Sequence, residues 1–267
     1  MLIVRNSVIV MACLASIEVC FRGDEREISP QPDSTTEATN GEAVMSQEHK
    51  WNDTWRDDLR ATLSSFIHGE LRLMRRDREE ILNACREIYL EDECPESERE
   101  AFVQFAAADV DQTEARFASE KSTWPAETDC DRLDRIEATL RDRGILLWQV
   151  SPCCDTCTRG ELPDRIRVIN DRHPGFRNRI RGYAFFIDQN MPEMLSDSTE
   201  LSVYLGYGWF SPDNSEASKE VYETNALNIA REVAECLKEE GFGVDWDGNL
   251  ARKIGLSINW QRRELLD

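Results

Sequence analysis

The sequence predicts an α+β protein, in which an N-terminal helical subdomain precedes a mixed sheet of about five strands packed against two main helices. Two observations predict this class. Apolar residues recur every three or four positions between residues 51 and 122, which is the period of an amphipathic helix. From residue 124 onward, helical stretches alternate with short apolar segments that are typical of strands. Helices and strands mixed around one sheet define an α+β domain.

The range 51–122 is expected to form three or so helices. The first has one apolar stripe, formed by Trp55, Leu59, Leu63, Phe66 and Ile67. The second ends before Pro95, because a proline disfavours helical backbone in the residue that precedes it. The third begins near Ser97. Apolar stripes of this kind are usually core, so no binding face is assigned here.

The range 124–263 is predicted to be the α+β domain. Thr128 and Asp131 have the spacing of a capping box, and Gly144 is placed to end that helix. A second long helix is expected to start at Ser211 or Asn214 and to end at Gly241. Strands are predicted at 145–150, 182–188, 201–207, 244–246 and 253–260. The segment 182–188 is apolar on both faces, which indicates a central strand.

The first 50 residues are not expected to belong to the fold. Residues 1–22 resemble a short signal peptide or lipoprotein signal, or else precede the true start at Met45. Residues 23–50 are polar and acidic and predict a disordered linker. The protein is therefore cytoplasmic if translation starts at Met45, and exported or lipid-anchored if the first segment is a signal. No stretch is long enough to span a bilayer.

The net charge limits the classes of possible partner, and the cysteine count limits the possible disulfides. The chain of 267 residues has a formal net charge of −20, which disfavours nucleic acid and anionic lipid as partners. The nine cysteines are an odd number, so they cannot all pair within the chain. Cys85 and Cys236 lie in helical patterns and are interpreted as ordinary buried thiols.

Four of the other cysteines are the best candidates for chemistry. Cys153, Cys154 and Cys157 follow the strand at 145–150, and Cys130 lies in the first turn of the helix that Thr128 caps. That helix is about 24 Å long. The strand returns along it for about 20 Å. The loop after the strand should therefore arrive beside Cys130, and the four thiols are expected to converge.

Four arrangements of these thiols remain open. Thiolates hold zinc in many proteins, although adjacent Cys153 and Cys154 rarely both reach one tetrahedral ion. A disulfide is favoured by export. A redox pair is favoured by the position of Cys130 at a helix N-terminus. Reduced, half-buried thiols without a shared role are the fourth. Zinc is thus the one cofactor that the sequence suggests, with Cys130, Cys153, Cys154 and Cys157 as its ligands, and no residue is assigned a catalytic role.

The segment from Arg159 to Arg181 reverses the charge of the chain locally. It contains seven arginines, opposed by Glu161, Asp164 and Asp171. It suits an anionic ligand or partner. The competing and preferred interpretation is that the arginines contact the protein's own acidic surface.

Several short motifs occur in a fixed order along the second half of the chain. They are Trp124, Thr128-Asp-Cys-Asp-Arg-Leu133, Cys153-Cys154-x-x-Cys157, Arg181-Gly-Tyr-x-Phe-Phe186, Leu201-x-x-Tyr-Leu-x-Tyr-Gly208, Val244-x-Trp-Asp-Gly248 and Trp260-x-Arg-Arg263. This set resembles a bacterial domain family of unknown function over about residues 124–263. The resemblance implies that the cysteines and the Arg-Gly-Tyr strand belong to the common plan of the domain, and it implies no activity. The resemblance also implies a histidine and an acid after the paired phenylalanines, but this chain has Ile187 and Asn190 there.

The sequence leads to one preferred function and two alternatives. The preferred one is a soluble, non-catalytic binding or regulatory module with a structural cysteine cluster. The first alternative is a metal- or thiol-dependent enzyme that uses the cluster. The second is an exported envelope protein with disulfides. The sequence does not identify a substrate or a partner.

Overall fold

The computed structural model describes residues 51–152, 154–212 and 217–266. Residues Trp51–Asp267 form one compact unit, which contains both of the predicted ranges 51–122 and 124–263. The predictions for residues 1–22 and 23–50 lie outside the described residues. Within those residues, no helix is both long and apolar enough to cross a bilayer.

The N-terminal region is helical, as predicted. Its helices are α1 (Asp53–Leu73), α2 (Arg78–Ala84) and α3 (Glu96–Lys121), and a π-helix (Cys85–Leu90) and a short helical turn (Glu91–Glu93) follow α2. The side chain of Asn52 caps α1 and a capping box formed by Asp77 and Glu80 begins α2, which satisfies amides that a helix start leaves unpaired. Apolar residues of all three helices form a shared core.

A five-stranded mixed sheet follows, which confirms the predicted class. Its strands are β1 (Ile145–Ser151), β2 (Gly182–Ile187), β3 (Glu200–Trp209), β4 (Val244–Asp245) and β5 (Ile254–Asn259). Their spatial order is β1-β2-β3-β5-β4. The strands β1 and β2 run parallel, and the other neighbouring pairs run antiparallel. The central position predicted for residues 182–188 is confirmed, because β2 lies between β1 and β3.

Two helices cover one face of the sheet, as expected. They are α4 (Asp129–Asp142) and α7 (Lys219–Glu239), and their apolar stripes enter the main core with β1, β3 and β5. The capping box of Thr128 and Asp131 is formed. Gly144 has φ +75°, a backbone conformation that favours glycine after a helix.

The opposite face carries a helix that the sequence analysis did not assign. Helix α5 (Asp155–Arg172) connects β1 to β2 and packs Leu162, Ile166 and Ile169 against the aromatic residues of β2. Those apolar positions have helical spacing, so a weak signal was present. Pro163 and the density of arginines concealed it, because a proline within a helix removes one hydrogen bond and usually ends the helix.

Glycines on β3 make room for the aromatic rings of β2. Gly208 and Gly206 lie opposite Tyr183 and Phe185 in the antiparallel register. A Cβ added at Gly208 would lie 2.4 Å from the Tyr183 hydroxyl oxygen, and one at Gly206 would lie 3.2 Å from Cζ of Phe185. The Arg-Gly-Tyr-x-Phe-Phe and Leu-x-x-Tyr-Leu-x-Tyr-Gly motifs are therefore two halves of one packing arrangement.

The N-terminal helices are fixed to the sheet at the end of α1. A Cβ on Gly69 would lie 1.9 Å from the carbonyl oxygen of Pro192 in α6 (Met191–Leu195), so the two backbones touch. The indole of Trp260 donates to the carbonyl of Arg72 at 3.1 Å. The amide of Leu266 donates to the carbonyl of Met74 at 2.6 Å. Residues after β5 thus bind the C-terminal end of α1.

Candidate functional site

The candidate site lies where β1 ends and α5 begins. The strands β1 and β2 are parallel and α5 is their crossover, so the three elements form a β-α-β unit. In open sheets of this kind, ligands bind beyond the carboxyl ends of the parallel strands. Here that edge carries the connection from Ser151, the last residue of β1, to Asp155, the first residue of α5.

Two of the predicted cysteines lie at the start of α5. Cys154 is its N-cap residue and Cys157 lies in its first turn, and both are partly exposed. Residues three apart on a helix lie side by side. The Cys154-x-x-Cys157 sequence therefore forms a compact turn at a helix N-terminus, where reactive cysteines are often found. Cys153 lies outside the described residues.

Polar groups surround this turn. Asp155, between the two cysteines, pairs with Lys253 at the start of β5, with an Nζ to Oδ2 distance of 2.7 Å. Beneath the helix, Thr158 Oγ1 donates to Ser151 Oγ at 3.0 Å, and Ser151 Oγ donates to the carbonyl of Phe186 at 3.2 Å. These bonds satisfy the fully buried hydroxyls and hold the helix start against the strand.

The backbone just before the turn is strained. Val150 has φ +53°, in the left-handed region that a β-branched residue rarely adopts. The pairing of β1 with β2 shifts register between Trp148 and Ser151 at the same place. Strain of this kind costs about 1–3 kcal/mol and persists only where its surroundings enforce it. The direction in which the cysteine loop leaves β1 is thus set by the fold around it.

Cys130 has a different environment from Cys154 and Cys157. It lies in the first turn of α4, as predicted, but it is 1 % exposed and belongs to the main core. Burial raises the pKa of its thiol to about 12, so it is protonated at neutral pH. The helix N-terminus does not produce a thiolate there. Burial also raises the pKa values of Cys85 and Cys236, whose expected role as buried thiols fits this environment.

The predicted metal site is not seen among the described residues, in which no group of three or more His, Cys, Asp or Glu side chains is arranged to hold an ion. Whether Cys130 approaches Cys154 or Cys157 stays a prediction. A metal site that includes Cys153 among its ligands also stays a prediction.

A polar network beside Cys130 was not predicted. Arg262, which is 6 % exposed, donates two hydrogen bonds to Asp134, at 2.9 and 3.0 Å, and a third to Gln149 Oε1 at 2.8 Å. Gln149 Nε2 donates at 2.9 Å to both Asp134 and Glu137. Burial raises the pKa of Glu137. The network fixes Gln149, the residue before the strained Val150. Arg262 belongs to the Trp260-x-Arg-Arg263 motif, but the motif does not indicate its partners, because they lie on α4 and β1.

The basic segment lies mostly on α5 and contacts the protein itself at several points. Arg181 pairs with Glu232 through two bonds of 2.5 and 2.7 Å. The guanidinium of Arg165 lies 5.6 Å from the centre of the Trp148 ring. Arg177 and Arg179 are exposed. The Arg181 pair fits the preferred interpretation, and an anionic partner at the exposed arginines stays a prediction.

Fold and site together define an α+β protein with a parallel β-α-β unit whose crossover helix begins at a Cys-x-x-Cys turn. The chain belongs to a family described as a domain of unknown function, DUF6891, which matches residues 56–264. The expected resemblance to a domain family of unknown function is thereby confirmed. No curated protein and no solved structure matches the chain.

Proposed function

We propose that this protein is a regulatory module in which Cys154 and Cys157 form a thiol–disulfide switch. The observation that supports the proposal is the contrast between two sets of thiols. Cys154 and Cys157 are partly exposed at a helix N-terminus, whereas Cys130 is buried with a raised pKa. Reactive cysteines occupy exposed, electropositive surroundings, and buried ones are inert.

The chemistry follows from the position of each sulfur. The N-terminal dipole of α5 favours a thiolate at Cys154. That thiolate attacks one sulfur of a small disulfide such as oxidised glutathione and releases one glutathione thiolate. The thiolate of Cys157 then attacks the sulfur of Cys154 and releases the second. The two cysteines lose two electrons and two protons, and two glutathione thiols are formed.

The test is a redox titration in buffers of reduced and oxidised glutathione. The fraction of oxidised protein is measured by alkylation and mass analysis. We expect one intramolecular disulfide, lost in Cys154→Ser and in Cys157→Ser. The buried Cys85→Ser is the matched control and should titrate like the wild type. Full alkylation of Cys154 and Cys157 in the most oxidising buffer would contradict the proposal.

The metal alternative predicts a different result from the same samples. Zinc held by Cys130, Cys153, Cys154 and Cys157 would give one ion per chain and would protect these thiols from alkylation until a chelator is added. Metal analysis of the purified protein separates the two proposals. Bound zinc at that ratio would support a metal centre instead of the switch. It would also support the alternative of a metal- or thiol-dependent enzyme.

The compartment decides which state of the switch is the resting one. A reduced dithiol is expected if translation starts at Met45 and the protein stays in the cytosol. A stable disulfide is expected if the first segment exports the protein, as in the envelope-protein alternative. Non-reducing mass analysis of the protein taken directly from its native cells distinguishes these cases.

A further inference from the structure

Two buried hydroxyl groups join the start of α5 to the segment that leads into it. Thr158 in α5 and Ser151 at the end of β1 are both 0 % exposed. The Thr158 hydroxyl oxygen lies 3.0 Å from Ser151 Oγ and 3.1 Å from the carbonyl oxygen of Pro152, so its single proton is shared between two acceptors. The amide of Thr158 donates to the carbonyl of Cys154 at 2.9 Å. One residue thus bonds to three of those that connect β1 to α5.

The position of Cys154 relative to Cys157 depends on this connection. Cys157 lies within the helix, but Cys154 is the N-cap residue, and its φ of −141° and ψ of 169° are extended. Helical geometry alone therefore does not fix it. The connection follows Val150, whose φ of +53° is strained. Strain of this kind persists only where neighbouring contacts enforce it, and the bonds of Thr158 are contacts of that kind.

We propose that Thr158 is a positioning residue that sets the reduction potential of the Cys154–Cys157 switch. The inference rests on the proposed function and names a residue that tunes the same site. The Thr158 hydroxyl restrains Cys154 beside Cys157 in the reduced protein, so less motion remains to be lost when the disulfide closes. The disulfide is thereby stabilised relative to the glutathione couple with which it exchanges. Thr158 itself exchanges no electrons or protons in the reaction.

The expected size of the effect follows from the bonds that the hydroxyl makes. The net contribution of one hydrogen bond corresponds to a factor of about 2–13 in an equilibrium constant. Removal of the hydroxyl should lower the equilibrium constant for disulfide formation about three- to tenfold. For a two-electron couple, in which a factor of ten equals about 30 mV, the reduction potential should rise by about 15–30 mV.

The test compares the potentials of full-length variants in buffers of reduced and oxidised glutathione. Thr158→Val removes the hydroxyl and keeps a β-branched side chain, and it should show the full rise. Thr158→Ser keeps the hydroxyl and should titrate close to the wild type. Ser151→Ala removes one of the two acceptors and should shift the potential in the same direction by less. The Ser151 variant also supplies the test if Thr158→Val does not fold.

Thr113→Val is the matched control. Thr113 is 1 % exposed in α3, so the same atoms are exchanged at a buried helical position outside the β-α-β unit. Its potential should equal that of the wild type, and an equal rise in this variant would reveal a general stability effect and overturn the proposal. An unchanged or lower potential in Thr158→Val would overturn it too, while leaving the switch itself intact. If the wild type forms no disulfide between Cys154 and Cys157, the proposed function fails and this inference fails with it.

Discussion

The substitution Gly208→Ala should be markedly destabilising, although it adds a single methyl group. The new Cβ would lie 2.4 Å from the hydroxyl oxygen of Tyr183 and 2.5 Å from its Cζ, so the ring must move by about 1 Å to restore an ordinary contact. That ring is 6 % exposed, stacks on Phe185 at 5.9 Å and contacts Phe210 at 5.2 Å. Because its neighbours leave it little room, the free energy of unfolding should fall by about 1–3 kcal/mol.

Gly206→Ala is the matched control on the same strand. Its Cβ would lie 3.2 Å from the Phe185 ring, so a shift of a few tenths of an ångström suffices. The reduced freedom of the unfolded chain offsets about 0.4–1 kcal/mol of that cost. Urea unfolding followed by tryptophan fluorescence measures both variants. In thermal unfolding followed by the same signal, the melting temperature of Gly208→Ala should fall by about 2–12 °C, and that of Gly206→Ala by much less.

A second background tests whether the ring is the cause. In Tyr183→Leu the ring is absent, so adding the methyl group at Gly208 should cost less than it does in the wild type. Equal midpoints for the two glycine variants would refute the packing argument. An unchanged cost in the Tyr183→Leu background would refute it as well.

Four further outcomes are expected. Cys130→Ala should lower the free energy of unfolding by about 1 kcal/mol and leave the metal content unchanged, and a loss of bound zinc on substitution would restore the metal interpretation. Arg181 lowers the pKa of Glu232, so the stability that their pairing contributes is present above the unfolded carboxyl pKa and is lost as pH falls through the folded value. Urea midpoints of Arg181→Gln and wild type should therefore converge as the pH falls below the ordinary carboxyl range, and a gap that does not narrow would contradict this. Removal of residues 1–44 should leave the unfolding transition as cooperative as before, as judged by calorimetry. Arg179→Gln should change the free energy of unfolding by less than about 0.5 kcal/mol and weaken retention on an anionic resin, and a large loss of stability would instead indicate an intramolecular role.

Local signals in the sequence were sufficient for most of the fold. The capping box at Thr128 and the turn at Gly144 act through neighbouring residues, so their spacing was enough to place α4. The strand pattern of residues 201–207 was equally plain, because β3 has one face in the core and the other partly exposed. Helix α5 was missed because Pro163 is tolerated within it, at a position that local rules treat as a helix end.

The sites were less readable because they depend on contacts between distant segments. The Cys-x-x-Cys turn was visible as a motif, but its position as the start of a crossover helix was not. The burial of Cys130 could not be separated from a metal role, since both place a cysteine on the inner face of α4.

The bonds from Trp260 and Leu266 to the end of α1 bear on how the protein is made. The indole of Trp260 and its acceptor on Arg72 are 188 residues apart. At about 5–20 residues per second, a ribosome needs about 10–40 s to cover that distance. The first helices have a core of their own and form from contacts close in sequence. The carbonyls at the end of α1, however, have no hydrogen bond from Trp260 or Leu266 until that later segment has been synthesised. During that interval the surface that will later contact the sheet is open to chaperones and proteases.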